Sequence, residues 1–68
     1  MKYLIKAKFK NSKPIEFEIF KTDNDWVVSN EYKVDETVKQ EAEVFISNVL
    51  AGSSYHHADF KFEILEEL

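Results

Sequence analysis

The chain has 68 residues, of which 44% are hydrophobic and 15% aromatic, and its net charge at pH 7 is −4. This length limits the chain to one small domain over residues 1–68, and its apolar content is too high for a disordered protein. Because it contains no cysteine, a disulfide framework, a zinc knuckle and a thiol nucleophile are excluded.

The charge is unevenly distributed along the chain. Residues 1–21 contain six Lys and two Glu, a net charge of +4, whereas residues 22–68 contain three Lys and eleven acidic residues, a net charge of −8. Arginine, the side chain best suited to bidentate contacts with phosphates and bases, is absent, so direct nucleic-acid binding is not expected. Lysines interrupt the N-terminal apolar run, and no window reaches membrane-spanning length. We expect a cytoplasmic protein that does not bind membranes.

The first predicted element is a hairpin. Apolar and charged residues alternate on both sides of the turn NSKP, which is typical of half-buried strands; the inward residues are Tyr3, Ile5, Ala7, Phe9, Ile15, Phe17 and Ile19. Placing Phe9 opposite Ile15 also pairs Lys8 with Glu16 and Lys6 with Glu18 on the other face. This agreement of both faces predicts the register.

A second hairpin is predicted at KTDNDWVV, with Asp23 and Asn24 as central turn residues that tolerate a positive φ. It pairs Ile19 with Val28 on the inner face. On the outer face the two registers together align three apolar side chains in one row, namely Leu4, Phe20 and Val27. Such a row is either an interface, with a homodimer as the simplest case, or is covered by Lys and Glu stems.

A helix is predicted next, because apolar residues recur at the i, i+4, i+7 and i+8 spacing of one stripe; these are Val38, Ala42, Phe45, Ile46, Val49 and Leu50. Asp35 or Thr37 could cap its start, and Thr37 with Gln40 matches a capping box. Gly52 follows the stripe as a C′ glycine does.

A closing strand is predicted from the alternation of Phe60, Phe62 and Ile64 with charged residues. The element order is therefore β-β-β-α-β. We expect an α+β fold in which an antiparallel sheet carries one helix on one face.

The stretch AGSSYHHA contains the only glycine and the only two histidines. Neighbouring strand residues point to opposite faces, so His56 and His57 are not expected to share a metal ion. A phosphate-binding glycine loop and a nucleophile elbow are also missing. The sequence thus predicts no enzyme, no catalytic or metal site and no cofactor. The favoured interpretation is that Tyr55, His56 and His57 lead into the last strand. The alternative is that they form an exposed loop that contacts a partner.

Glu41 and Glu43 form an acidic side of the helix, together with Asp35 and Glu36 at its start. Acidic helix faces are usually solvated. The alternative is an acidic surface that binds the basic groove of a nucleic-acid-binding protein, with attraction that weakens as salt rises.

The run DWVVSNEYKVDETVKQEAEVFISNVLAG resembles the central part of small Cas9-inhibiting anti-CRISPR proteins from phages. The shared features are a strand ending in Val-Ser, an acidic connection, and a helix ending in Phe-Ile-Ser before a glycine. The resemblance implies a class only: a small, acidic anti-defence inhibitor that occludes a surface of a protein partner by stoichiometric contact.

Two other functions stay open from the sequence. One is a homo-oligomeric protein that sequesters a small molecule or nucleotide near Tyr55, His56 and His57. The other is a structural subunit of a larger complex.

Overall fold

The computed structural model describes residues 1–68 as four strands and one helix, namely β1 (Lys2–Phe9), β2 (Ile15–Lys21), β3 (Trp26–Val28), α1 (Glu36–Leu50) and β4 (Phe60–Glu67). All strand pairs are antiparallel, and the order in the sheet is β3-β2-β1-β4. The predicted α+β fold is confirmed. The single helix is neither long nor apolar enough to cross a bilayer.

The core lies between α1 and one face of the sheet. Alternate strand residues point to this face, as the pleat of a strand requires, and they join three residues of α1. The cluster consists of Tyr3, Ile5, Ala7, Phe17, Ile19, Trp26, Val28, Ala42, Phe45 and Ile46. No polar or charged residue is buried, so the burial of apolar surface is the main source of stability.

The predicted pairing of charged residues across β1 and β2 is wrong by two positions. Lys6 lies opposite Glu16, whereas the sequence pattern placed Glu18 opposite Lys6 and Glu16 opposite Lys8. A slip of two residues keeps every side chain on its face, so the alternation cannot distinguish the two registers.

The connection after β1 is longer than the predicted NSKP turn. Ala7 is the last β1 residue paired with β2, and its partner is Ile15 rather than Phe17. Lys10 has a left-handed φ of 49°, and the Ser12 N–H donates to the Phe9 carbonyl at 2.9 Å. Consequently the predicted core residues Phe9 and Ile15 are 37% and 41% exposed.

The β2–β3 hairpin has the predicted register, but its turn differs from the expected one. Neither Asp23 nor Asn24 has a positive φ. Instead, the Thr22 hydroxyl oxygen accepts the Asp25 N–H at 3.1 Å, while the Thr22 N–H donates to the Asp25 carbonyl at 2.7 Å. The Thr22 side chain therefore supplies an acceptor that closes the turn without left-handed residues.

α1 begins where the sequence predicts. Asp35 is the N-cap, and its Oδ1 accepts the Thr37 N–H at 2.9 Å. This bond satisfies one of the helix N–H groups that lack an acceptor within the helix. Because Thr37 lies inside the helix, it is not the cap, and the predicted capping box of Thr37 and Gln40 does not form.

The apolar stripe of α1 is buried in its middle turns. Ala42, Phe45 and Ile46 are buried, whereas Val49 and Leu50 are 37% and 40% exposed. The helix packs mainly on the short strand β3, which covers only part of its length. The last turn of the predicted stripe therefore stays near solvent.

α1 ends with Gly52 at the C′ position, as the sequence predicts, and the structure shows that this end is a Schellman motif. Gly52 has a φ of 86°. Its N–H donates to the Val49 carbonyl at 3.1 Å, and the Ser53 N–H donates to the Asn48 carbonyl at 2.8 Å. These bonds satisfy two carbonyls that the helix leaves without partners.

Gly52→Ala should lower the free energy of unfolding by about 1 kcal/mol, because an L residue is strained at this φ. A Cβ added to Gly52 meets no atom within 4 Å, so the cost is conformational rather than steric. Gly52→Asn should cost less, since asparagine tolerates this region. Urea unfolding followed by circular dichroism measures both, and equal costs for the two variants would contradict the explanation.

Candidate partner-binding surfaces

The sheet face opposite α1 carries three residues predicted to bind a partner, Leu4, Phe20 and Val27. Phe20 lies opposite Val27, as predicted. In the corrected register, however, Leu4 lies opposite Glu18, and Phe20 lies opposite Lys2. The predicted continuous apolar row is therefore wrong. All three apolar side chains are half-buried rather than exposed. The prediction of a homodimer through this face depended on a continuous exposed apolar row, which the structure does not contain.

Glu18 holds a polar network on the same face. Its Oε2 accepts the Tyr32 hydroxyl at 3.0 Å, and its Oε1 lies 3.2 Å from the Lys2 ammonium. The Tyr32 hydrogen bond, followed by the contact with Lys2, lowers the pKa of Glu18. The ionised carboxylate therefore stabilises the fold above the pKa of the unfolded chain, and this contribution is lost as pH falls through the folded-state pKa.

An open groove of ≈ 490 Å³ lies between α1 and the β2–β3 turn, and we call it the acidic groove. It is lined by Lys21, Asn24, Asp25, Trp26, Gln40, Glu43, Val44 and Ser47. Trp26 is 9% exposed, whereas Val44 is 47% exposed. The groove thus combines an aromatic ring and an accessible apolar side chain with carboxylates from two different elements.

Carboxylates outnumber cations in the lining of the acidic groove, which has Asp25 and Glu43 against Lys21. Partial burial, followed by repulsion from Asp25 and then Glu36, raises the pKa of Glu43, although Lys39 acts in the opposite direction. The sole ion pair in the protein joins Lys2 to Glu18, so Glu43 has no cation within contact distance. A partly desolvated carboxylate among like charges is a favourable position for an incoming cation.

Glu43→Gln should raise the melting temperature at pH 7, because it removes a partly buried charge that Asp25 and Glu36 repel. The penalty in the wild type is fully present above the folded-state pKa of Glu43 and is relieved as pH falls through it. The difference in melting temperature should therefore shrink as pH falls. Glu67→Gln, an exposed acid at the end of β4, is the control with the same change in charge. An equal gain from both variants would contradict a local origin.

A second candidate surface lies where the loop before β4 meets α1. The Tyr55 hydroxyl donates to Glu41 Oε1 at 2.8 Å, which joins two residues that the sequence predicted at binding surfaces. Burial, followed by this hydrogen bond, raises the pKa of Tyr55, so the phenol stays neutral. Its ring packs edge-on against Phe45 and Phe62, each at a centroid distance of 5.6 Å. Tyr55 is therefore also a packing residue.

His57 has a structural contact that the sequence reasoning missed. Its Nδ1 accepts the N–H groups of Asp59 at 3.0 Å and Phe60 at 3.3 Å, and its ring packs edge-on against Phe60 at 5.0 Å. Asp, Asn, Ser and Thr side chains commonly accept backbone N–H groups two or three residues later and so close a turn. The position of His57 two residues before Asp59 and three before Phe60 could have indicated the same role. The geometry favours the lead-in interpretation for His57, while exposed His56 remains a predicted contact residue.

An apolar groove of ≈ 430 Å³ between the β1–β2 connection and the start of α1 was also missed. It is lined by Ala7, Phe9, Ser12, Lys13, Ile15, Asp35, Thr37, Val38 and Phe60. The strand alternation had assigned Phe9 and Ile15 to the core, which is why the sequence contained no signal for this groove.

The predicted binding residues lie on three separate surfaces. Glu43 lines the acidic groove, and Glu41 contacts Tyr55. Leu4, Phe20 and Val27 lie on the sheet face opposite α1. Comparison of the chain with protein-family models, curated protein sequences and solved structures finds no significant match.

Proposed function

We propose that this chain is a small non-enzymatic binding protein, an anti-defence inhibitor of a phage or mobile element, that occludes a basic surface of a protein partner by stoichiometric contact. The acidic groove carries the proposal. Its Asp25 and Glu43 carboxylates form no ion pair within the protein, and the exposed Val44 side chain offers an apolar contact beside them.

A Lys or Arg side chain of the partner fits the chemistry of the acidic groove. Its cation would pair with Asp25 and Glu43, and its aliphatic stem would contact the exposed Val44 side chain. The net charge of −8 over residues 22–68 adds long-range attraction toward a basic partner. A host defence protein with a nucleic-acid-binding groove presents such a basic surface.

The first test is titration of a hexa-arginine peptide, followed by Trp26 fluorescence and calorimetry. The double variant Asp25→Asn, Glu43→Gln should weaken binding about tenfold, since each exposed ion pair contributes up to about 1 kcal/mol. Its control is Glu66→Gln, Glu67→Gln, which removes the same charge from the exposed end of β4. Equal losses would show that net charge alone attracts the peptide, and would refute the groove as the site.

The pH dependence of this binding has a defined sign. A cation in the acidic groove lowers the pKa of Glu43, which is raised in the unbound protein. Binding therefore releases protons, and affinity should fall as pH decreases through the pKa of Glu43 in the unbound protein. Calorimetry at an acidic pH where Glu43 of the unbound protein is partly protonated, in two buffers of different ionisation enthalpy, measures the released protons. No release in the wild type would count against a contact with Glu43.

The inhibitory step is tested directly with a Cas9 nuclease, by adding the protein at increasing molar ratio to a DNA-cleavage reaction. Stoichiometric inhibition that is lost in the groove variant supports the proposal. Cleavage that is unchanged at excess protein removes this nuclease as the partner, while the peptide titration still decides the groove.

Nucleotide sequestration near Tyr55, His56 and His57 has less support. The Tyr55 hydroxyl and His57 Nδ1 are engaged in contacts within the protein. A thermal-shift screen with nucleotides tests this alternative, because a ligand of the native state must raise the melting temperature.

A further inference from the structure

The two edges of the sheet differ in how they are protected. The edge strand β3 has three residues, and beyond it the Ser29 N–H donates to the Glu18 carbonyl of β2 at 2.9 Å. β4 has eight residues and pairs only with β1. Long unprotected edge strands readily pair with another strand, so β4 is the open edge of this fold.

The register identifies the backbone groups that β4 presents at this edge. The Asp59 carbonyl accepts the Lys10 N–H at 2.8 Å, so residue 59 directs its polar groups toward β1. Because this direction alternates along an antiparallel strand, Phe62 and Ile64 direct their N–H and carbonyl groups away from β1. No strand, loop or side chain of the protein bonds to these groups.

We propose that a second copy of this chain pairs with the β4 edge in antiparallel orientation, with Phe62 opposite Phe62 of the second copy. A two-fold axis at Phe62 makes this contact isologous. In this register Phe60 lies opposite Ile64 of the second copy, and these apolar side chains share the α1 face of the combined sheet.

Charge complementarity favours this register over the two registers that lie one residue away. Lys61 and Glu63 alternate with the apolar residues of β4, and pairing about Phe62 places Lys61 opposite Glu63 of the second copy, twice. Moving the axis by one residue places Lys61 opposite Lys61, or Glu63 opposite Glu63. Like charges directly opposite each other destabilise strand pairing, so both neighbouring registers are disfavoured.

His57 leaves this edge accessible. Its Nδ1 occupies the Phe60 N–H at 3.3 Å, but the Phe60 carbonyl can still accept the Ile64 N–H of the second copy. Both Phe62 residues can exchange their N–H and carbonyl groups. The acidic groove lies next to β3, at the opposite edge, so each copy keeps its groove free. The pairing does not depend on the proposed function.

Sedimentation velocity over a range of concentrations tests the pairing with two charge reversals. Lys61→Glu and Glu63→Lys should each raise the dimer dissociation constant about tenfold or more, because each places like charges in both cross-strand pairs. Mixing the two variants should restore dimers, since every pair in the mixed dimer is again of opposite charge. Lys61→Glu should leave the monomer folded, because Lys61 lies opposite Lys8 within the chain.

Phe20→Asp is the matched control, because it changes the outer sheet face and not the β4 edge. Phe20→Asp should leave the dimer intact. In the wild-type protein, the Phe62 and Ile64 amides should become protected from hydrogen exchange as the protein concentration rises. A wild-type chain that stays monomeric at about 1 mM, a mixture that does not reassociate, or dissociation by Phe20→Asp would each overturn the proposal. Circular dichroism of every variant separates unfolding from dissociation.

Discussion

Phe45→Ala should lower the free energy of unfolding by about 3–5 kcal/mol, the range for deleting a buried aromatic ring. Phe45 is 7% exposed on the middle of α1. Its ring stacks on Phe62 at 5.2 Å and meets Tyr55 edge-on at 5.6 Å. Small domains are stable by only about 5–15 kcal/mol, so this single change should remove much of the stability of the protein.

Val44→Ala is the matched control on the same helix. Val44 is 47% exposed, so its truncation should change stability by no more than about 0.5 kcal/mol. Urea unfolding followed by helical circular dichroism and by Trp26 fluorescence measures both variants. Similar losses from Phe45→Ala and Val44→Ala would mean that α1 presents a different face to the sheet.

Phe17→Ala should also lower the free energy of unfolding by about 3–5 kcal/mol, whereas Ile15→Ala should lower it by less than about 1 kcal/mol. The two residues occupy equivalent positions in the alternation of β2. Phe17 is nevertheless 0% exposed and Ile15 is 41% exposed. The difference arises because Ile15 lies at the end of the paired strands and lines the open apolar groove.

The same unfolding measurement distinguishes the observed register from the predicted one. In the predicted register, with Phe9 opposite Ile15, Ile15 and Phe17 would both lie within the paired part of the hairpin. Ile15→Ala and Phe17→Ala would then both be strongly destabilising. If Ile15→Ala proved as destabilising as Phe17→Ala, Ile15 would have to be buried against α1 in solution, contrary to the open groove seen in the structure.

Glu43 links stability to the proposed binding function. Its pKa is raised by partial burial and then by repulsion from Asp25 and Glu36, and both effects lower the stability of the unbound protein at neutral pH. A cationic side chain bound in the acidic groove relieves that repulsion. Glu43→Gln is therefore expected to stabilise the protein while weakening its binding of a basic partner, which is the usual relation between stability and function at a binding site.

The sequence by itself determined the type and order of the elements, and the features that depend on local chemistry. Alternation with a period of two placed the strand faces, because successive side chains of a strand point to opposite sides. Asp35 and Gly52 located the ends of α1, since caps depend on groups within one turn of the helix. The burial of Phe45 followed from the phase of the apolar stripe.

Tertiary structure decided everything that the period alone leaves equivalent. A two-residue slip between β1 and β2 preserves both faces, and it separated Leu4 from Phe20 and moved Ile15 out of the core. The position of β4 beside β1 created the open edge, and the packing of α1 on β3 brought Glu43 near Asp25. These contacts join residues distant in sequence, so they depend on how complete elements pack rather than on any local pattern.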